Sequence, residues 1–272
     1  MEKKNYSYPD TNDKITSALI KKEEPYPGYW EKSEKQILSI IKQTIQKRLK
    51  KTNNSWLLDA GCGTGRLLPE FEAYFDKILA VDPDVQQIEK AADLVKHHGF
   101  ANKTVFENVP IEELDWKKES MDVILCSHVL QHVHTENVPR ILNKFNWLAK
   151  KGGLLFIMTT HSGRKRDYFA KDYFRGAEVV EENIQKDEFN SLVTNKLDEL
   201  PIHFFSIDSL TKMLENFGFI VLNFSCYHVL RTGTSSDQSI EKDQAANKSK
   251  YLNDKVGRDM LVTCKKQIST ER

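Results

Sequence analysis

Trp56 to Arg66 reads W-L-L-D-A-G-C-G-T-G-R, and Asp82 follows at the end of I-L-A-V-D. Trp56, Leu57 and Leu58 form an apolar run too short for a helix, which suits a buried parallel strand. Gly61, Gly63 and Gly65 free the backbone to turn tightly and to meet a ligand without Cβ clashes. A helical pattern then leads to a second apolar run and a second acid. Strand, glycine loop, helix and strand in this order form a unit that holds a nucleoside cofactor. The loop amides and the helix start suit a carboxylate or phosphate, and an acid ending the next strand suits a ribose diol.

The spacing separates two cofactors. A dinucleotide loop prefers Gly-x-Gly-x-x-Gly, with a small third residue where the helix packs on the strand. Here the glycines alternate and Arg66 follows them. Asp59 stands just before the loop, where an acid suits an ammonium group better than a pyrophosphate. D-A-G-C-G-T-G resembles the first motif of class I S-adenosylmethionine-dependent methyltransferases. M-D-V-I-L-C-S-H-V-L-Q-H-V resembles that family's fourth strand and its loop. V-P-I-E-E-L-D-W, L-A-K-K-G-G-L-L-F-I and the late P-I-H-F-F-S-I-D-S-L-T-K-M-L-E-N-F-G-F extend the likeness, with Pro110 where Asp is usual and Lys151 where Pro is common.

The resemblance implies a doubly wound, seven-stranded, mostly parallel α/β sheet with an antiparallel last strand, and S-adenosylmethionine as cofactor. Asp59, Ala60, Gly61, Cys62, Gly63, Thr64, Gly65 and Arg66 would form the loop side of its pocket. Asp82 and Pro83 would take the ribose. Pro110, Ile111 and Glu112 would border the adenine, the last two through their backbone. Ser127 would lie under the sulfonium.

The rest of the chain fits one large domain of 272 residues. Residues 1–50 read as an arm (Tyr26, Tyr29, Trp30) and a helix with Ile37, Ile41 and Ile45 on one face, capped at Ser33 with Gln36 at capping-box spacing. Residues 51–272 read as the catalytic domain. Leu67, Leu68 and Phe71 mark its first helix. Val85, Ile88, Ala92 and Val95 mark the next, ending beside His97 and His98. Strands are expected at 78–81, 104–108, 121–126 and 154–158, the last preceded by a helix stop at Gly152 and Gly153. About 162–200 the pattern breaks into a charged, aromatic stretch. It reads as an insertion, helical in part, lying over the sheet edge as an acceptor lid. Regular structure is expected to resume at Ser206, with a long sixth strand from Phe219 and a seventh over 259–264. Residues 231–258 read as a flexible loop.

Net charge is +1, so no basic field points to nucleic acid or an anionic membrane. No apolar run is long enough to span a bilayer, and the start of the chain lacks a signal peptide's apolar segment. Cys62, Cys126, Cys226 and Cys264 are widely spaced, as in a reduced, cytoplasmic protein. His132-x-His134 lacks a third ligand at a useful spacing, so no metal is expected.

Methyl transfer from a sulfonium is an in-line displacement that needs alignment, and a base only for a protonated acceptor. His128 and His132 after the fourth strand, and His161 after the fifth, face the crevice of such a sheet and are the candidate bases. Packing or a place in the cofactor shell is the other reading for His128 and His132. Arg164 to Arg166 would grip an acidic acceptor or form a solvated face. The expected partner is a small-molecule acceptor, methylated at O, N or C. Ser127-His128-Val129-Leu130 stands where enzymes acting on bases or glutamine carry N-P-P-Y. A protein or peptide acceptor, a non-catalytic cofactor-binding partner subunit and a nicotinamide-dependent dehydrogenase are the rivals. The oligomeric state stays open.

Overall fold

The computed structural model describes residues 14–18, 29–49, 53–195, 199–228 and 257–268. Its centre is a seven-stranded sheet built from β1 (Trp56–Ala60), β2 (Lys77–Val81), β3 (Thr104–Glu107), β4 (Met121–Ser127), β5 (Ala149–Thr160), β9 (Phe219–Tyr227) and β10 (Asp259–Lys266). The order is β3-β2-β1-β4-β5-β10-β9. β10 runs antiparallel to both its neighbours, and the other pairings between consecutive strands are parallel. This is the expected doubly wound sheet with an antiparallel last strand. β1 and β4 sit at its middle, where the strand order reverses, so the crevice opens at their C-terminal ends.

Helices cover both faces, as strands apolar on both sides require. α1 (Tyr29–Arg48) lays Ile37, Ile41 and Ile45 against one face, with Leu57, Val123, Phe156 and Leu261 beneath. α4 (Asn137–Leu148) and α6 (Ile207–Asn216) cover the other, burying Ile141, Phe145, Leu210 and Leu214. Ser206 caps α6, its Oγ accepting from the Ser209 amide at 3.2 Å.

Several expectations are corrected. α1 begins at Tyr29, so Ser33 lies inside it and its hydroxyl donates to the Trp30 carbonyl at 3.0 Å. The helix after the glycine loop, α2, covers only Leu68–Phe71 before a 3-10 turn at Glu72–Tyr74. So short a helix has little macrodipole. In α3 (Val85–His97), Asp84 caps the first turn; Val85 is left exposed and Ala91 is buried with Val95. Gly152 and Gly153 lie within β5 instead of before it.

The insertion is mainly β. β6 (Tyr168–Arg175), β7 (Glu178–Ile184) and β8 (Leu200–Phe204) form a second antiparallel sheet in the order β7-β6-β8, with α5 (Lys186–Asn195) packed on it. The aromatic residues explain this. Tyr168 stacks on Phe204 at 4.5 Å between centroids, and Phe169 packs on Phe189 and His203. β8 therefore extends the unit past residue 200. Tyr26, the Tyr29 side chain and most of the 231–258 loop lie outside the described residues.

Candidate functional site

The glycine loop is shaped by its neighbours. Gly61 and Cys62 both donate to the Val81 carbonyl, at 2.8 and 3.0 Å, folding the loop back onto β2. All three glycines have positive φ, which L side chains rarely adopt. A Cβ on Gly61 would stand 2.2 Å from Val129 Cγ2, and one on Gly65 would press on Ala91 and Leu68 at 3.0 Å. A Cβ on Gly63 would meet nothing within 4 Å. Two of the glycines therefore serve packing, and Gly63 faces open space.

The acids divide by environment. Asp82 takes the Gly63 amide on Oδ2 and the Asp84 amide on Oδ1, both at 2.9 Å. Burial raises its pKa, and these two amides oppose the shift. Each carboxylate oxygen keeps a lone pair, which suits the two hydroxyls of a ribose. Asn108 fixes the same corner, donating to the Asp82 carbonyl at 3.0 Å. Asp59 is 2% exposed and makes no hydrogen bond or ion pair with the described residues. Burial, then the Asp82 charge, push its pKa up to about 7, against the pull of Arg66. A nearly buried carboxylate without a partner is costly, and a cation at this spot relieves it. Arg66 itself turns outward to Glu34 of α1 at 2.7 Å.

The candidate bases are held in two ways: His128 through both nitrogens, His132 and His161 through Nδ1 alone. Gln131 Oε1 accepts from the Thr160 amide at 3.3 Å, so its amide nitrogen donates to His128 Nδ1 at 3.2 Å. His128 Nε2 therefore carries the proton and faces the Tyr227 hydroxyl at 3.2 Å. Both of its nitrogens are occupied. His161 is buried and donates through Nδ1 to the Gly257 carbonyl at 3.1 Å, with Cys226 Sγ at 3.5 Å. His132 donates through Nδ1 to the Pro201 carbonyl at 2.8 Å. Its Nε2 is thus unprotonated, with no hydrogen-bond partner among the described residues. Burial lowers the His132 pKa to about 4, against the Pro201 bond. The ring is neutral at pH 7 with a free lone pair.

Pro201 belongs to β8, so the second sheet sets the tautomer of His132. Asn190 of α5 strengthens this link, accepting from the Thr135 amide and donating to its hydroxyl, each at 3.0 Å. The inserted unit thus stands over the loop that follows β4. Ser127 ends β4, and Pro83 precedes α3 at the loop's far side. Pro110 opens a 3-10 turn at Ile111–Glu113, in which Ile111 is buried. Ala60, Cys62 and Gly65 are buried, whereas Thr64 and Arg66 are exposed. Arg164, Lys165 and Arg166 are exposed, and Arg164 lies over the Tyr168 ring at 4.5 Å. Among the described residues no group of three or more His, Cys, Asp or Glu is arranged to hold a metal ion. No described helix is long and apolar enough to cross a membrane.

Gln131 and Tyr227 escaped the sequence reading. Gln131 and Tyr227 sit in apolar surroundings and read as core.

A methyltransferase-domain family profile matches residues 29–223. The chain belongs to the S-adenosylmethionine-dependent methyltransferase family. A ubiquinone biosynthesis O-methyltransferase from Methylocella silvestris is 31% identical over 124 residues, covering 46% of each chain. The chain spans less than half the length of the curated relatives it matches. Two solved structures share its fold. A methyltransferase from Clostridium acetobutylicum has a TM-score of 0.58 at 13% identity, covering 95% of this chain and 99% of that one. The 1,6-didemethyltoxoflavin-N1-methyltransferase of Burkholderia thailandensis has a TM-score of 0.55 at 16% identity, covering 97% and 92%. Family membership implies S-adenosylmethionine, and the residues fit it. Asp59 is an unpaired buried acid suited to the ammonium of its methionine part. Gly63 leaves room for close approach, and Asp82 keeps lone pairs for the ribose.

Proposed function

We propose that this methyltransferase acts on a small-molecule acceptor, with His132 taking the acceptor's proton. When bound, S-adenosylmethionine supplies a methyl group on a positively charged sulfur. The protein's part is to align the acceptor with that methyl, exclude water and accept a proton where the nucleophile carries one. Asp59, the loop from Ala60 to Arg66, Asp82 and Pro83 hold the cofactor, and Ile111 and Glu112 border its base. Ser127 and His128 form the floor beside it. The observation that carries the base assignment is that His132, neutral and with Nε2 unspent, is pinned through Nδ1 to Pro201 of the second sheet; His161 has the same tautomer but is tied to Gly257 instead.

The second sheet supports the small-molecule reading. It is tied to the loop after β4 through Pro201 and Asn190, so the acceptor side is roofed, which suits a compact ligand better than a protein chain. The ubiquinone biosynthesis and toxoflavin enzymes named above act on small molecules by their names.

The test is to incubate the purified protein with methyl-labelled S-adenosylmethionine and a cell extract split into protein and small-molecule fractions. The reading expects label in the small-molecule fraction. Label confined to protein would favour the peptide acceptor and overturn it.

A further inference from the structure

Outside the cofactor pocket, His228 and Asp259 form a buried polar pair. His228 Nδ1 lies 2.6 Å from Asp259 Oδ2, and the two residues are 5% and 1% exposed. Burial raises the Asp259 pKa, but the bond to His228 and nearby positive charge outweigh it and bring the pKa down to about 2. Its second oxygen, Oδ1, is buried and makes no hydrogen bond; the Arg258 guanidinium lies 3.9 Å away. A charge buried with an orphaned oxygen is expensive for a fold to keep. His228 is also held at φ +51, a left-handed conformation uncommon for a side-chain-bearing residue.

The pair meets the start of α1. The His228 ring packs on Trp30 with centroids 3.9 Å apart, and its Nε2 faces the Trp30 carbonyl at 3.4 Å. Trp30 is in the first turn of α1. One turn on, Glu34 meets Arg66 at the end of the glycine loop. On the other side, Tyr227 precedes His228 and bonds to His128, whose neighbour Val129 packs on Gly61 at the loop's start. His128 too has a left-handed backbone, at φ +55. The contacts close a ring: Gly61, Val129, His128, Tyr227, His228 with Asp259, Trp30, Glu34 and Arg66. Both ends of the cofactor loop are gripped by it.

We infer that Asp259 and His228 are positioning residues that lock the start of α1 against the sheet edge and so fix both ends of the cofactor loop. Asp259 orients the imidazole, the imidazole seats Trp30, and the seated helix presents Glu34 to Arg66. The role concerns cofactor affinity and does not rest on the nature of the acceptor.

The test uses the full chain and S-adenosylhomocysteine as probe, read by calorimetry. His228→Ala and Trp30→Ala should each weaken binding about tenfold, roughly 1.4 kcal/mol. The double variant should be little weaker than either, because the two residues act as one unit. Trp30→Phe keeps an aromatic ring on His228 and should recover most of the affinity; this arm separates positioning from general destabilisation. Asp259→Asn should resemble His228→Ala and raise hydrogen exchange at the first turns of α1. Unchanged binding in both alanine variants, even with a lowered melting temperature, would overturn the inference. So would Trp30→Phe binding as weakly as Trp30→Ala.

Discussion

Asp59 shows how a single residue couples stability to binding. Its folded pKa is about 7 against an ordinary 3.8. Between those values the native state holds a proton that the unfolded chain has lost. Stability therefore falls as pH rises from about 4 to about 7. A bound ammonium reverses the preference, so cofactor binding expels that proton and tightens as pH rises from 6 to 8. Asp59→Asn removes the buried charge. At pH 8 its ligand-free melting temperature should exceed that of the wild type. Its binding of S-adenosylhomocysteine should weaken by about 1–3 kcal/mol, the scale of a hydrogen bond to a charged group, and lose its pH dependence. Weaker binding with no gain in stability would place the penalty elsewhere. Asp59 was legible from its place before the glycines. The tautomers of His128 and His132 were not, since they depend on Gln131 and on Pro201, 69 residues away from His132.

At the scale of elements, the parallel sheet was easy to read because buried strands are short apolar runs bounded by glycines and acids. The insertion was harder. Its strands mix charged and aromatic residues: β7 reads E-V-V-E-E-N-I and is largely exposed. With one face in water and the other on a small core, its apolar signal is thin. Asp167 joins this sheet to the main domain. Its carboxylate accepts from the Ser206 amide and hydroxyl, the Ser209 hydroxyl and His203 Nε2, at 2.8 to 3.1 Å. Burial alone would raise its pKa, but these bonds bring it below the ordinary value. A depressed carboxylate contributes stability above pH 4 and loses it as pH falls through the folded pKa. Asp167→Ala should cost about 2–3 kcal/mol at pH 7, read by denaturant unfolding. The gap from wild type should narrow toward pH 3. A gap that persists there would mean the loss is packing and not charge.

For the whole molecule, the two halves of the site differ in origin. Most of the proposed cofactor half comes from consecutive elements, β1 to α3, with Ile111, Glu112, Ser127 and His128 added from further along the chain. The proposed acceptor half would be assembled from the loop after β4 and the second sheet. Those pieces meet only through folding, so their chemistry cannot be read locally. The central claim joins the halves: His132 removes the acceptor's proton as the methyl moves. The direct measurement is the initial rate of label transfer from methyl-labelled S-adenosylmethionine to the small-molecule fraction, at saturating cofactor, for wild type and His132→Asn. The account predicts a fall of about 100-fold or more in the variant, with S-adenosylhomocysteine affinity within about twofold of wild type. An undiminished rate would contradict it.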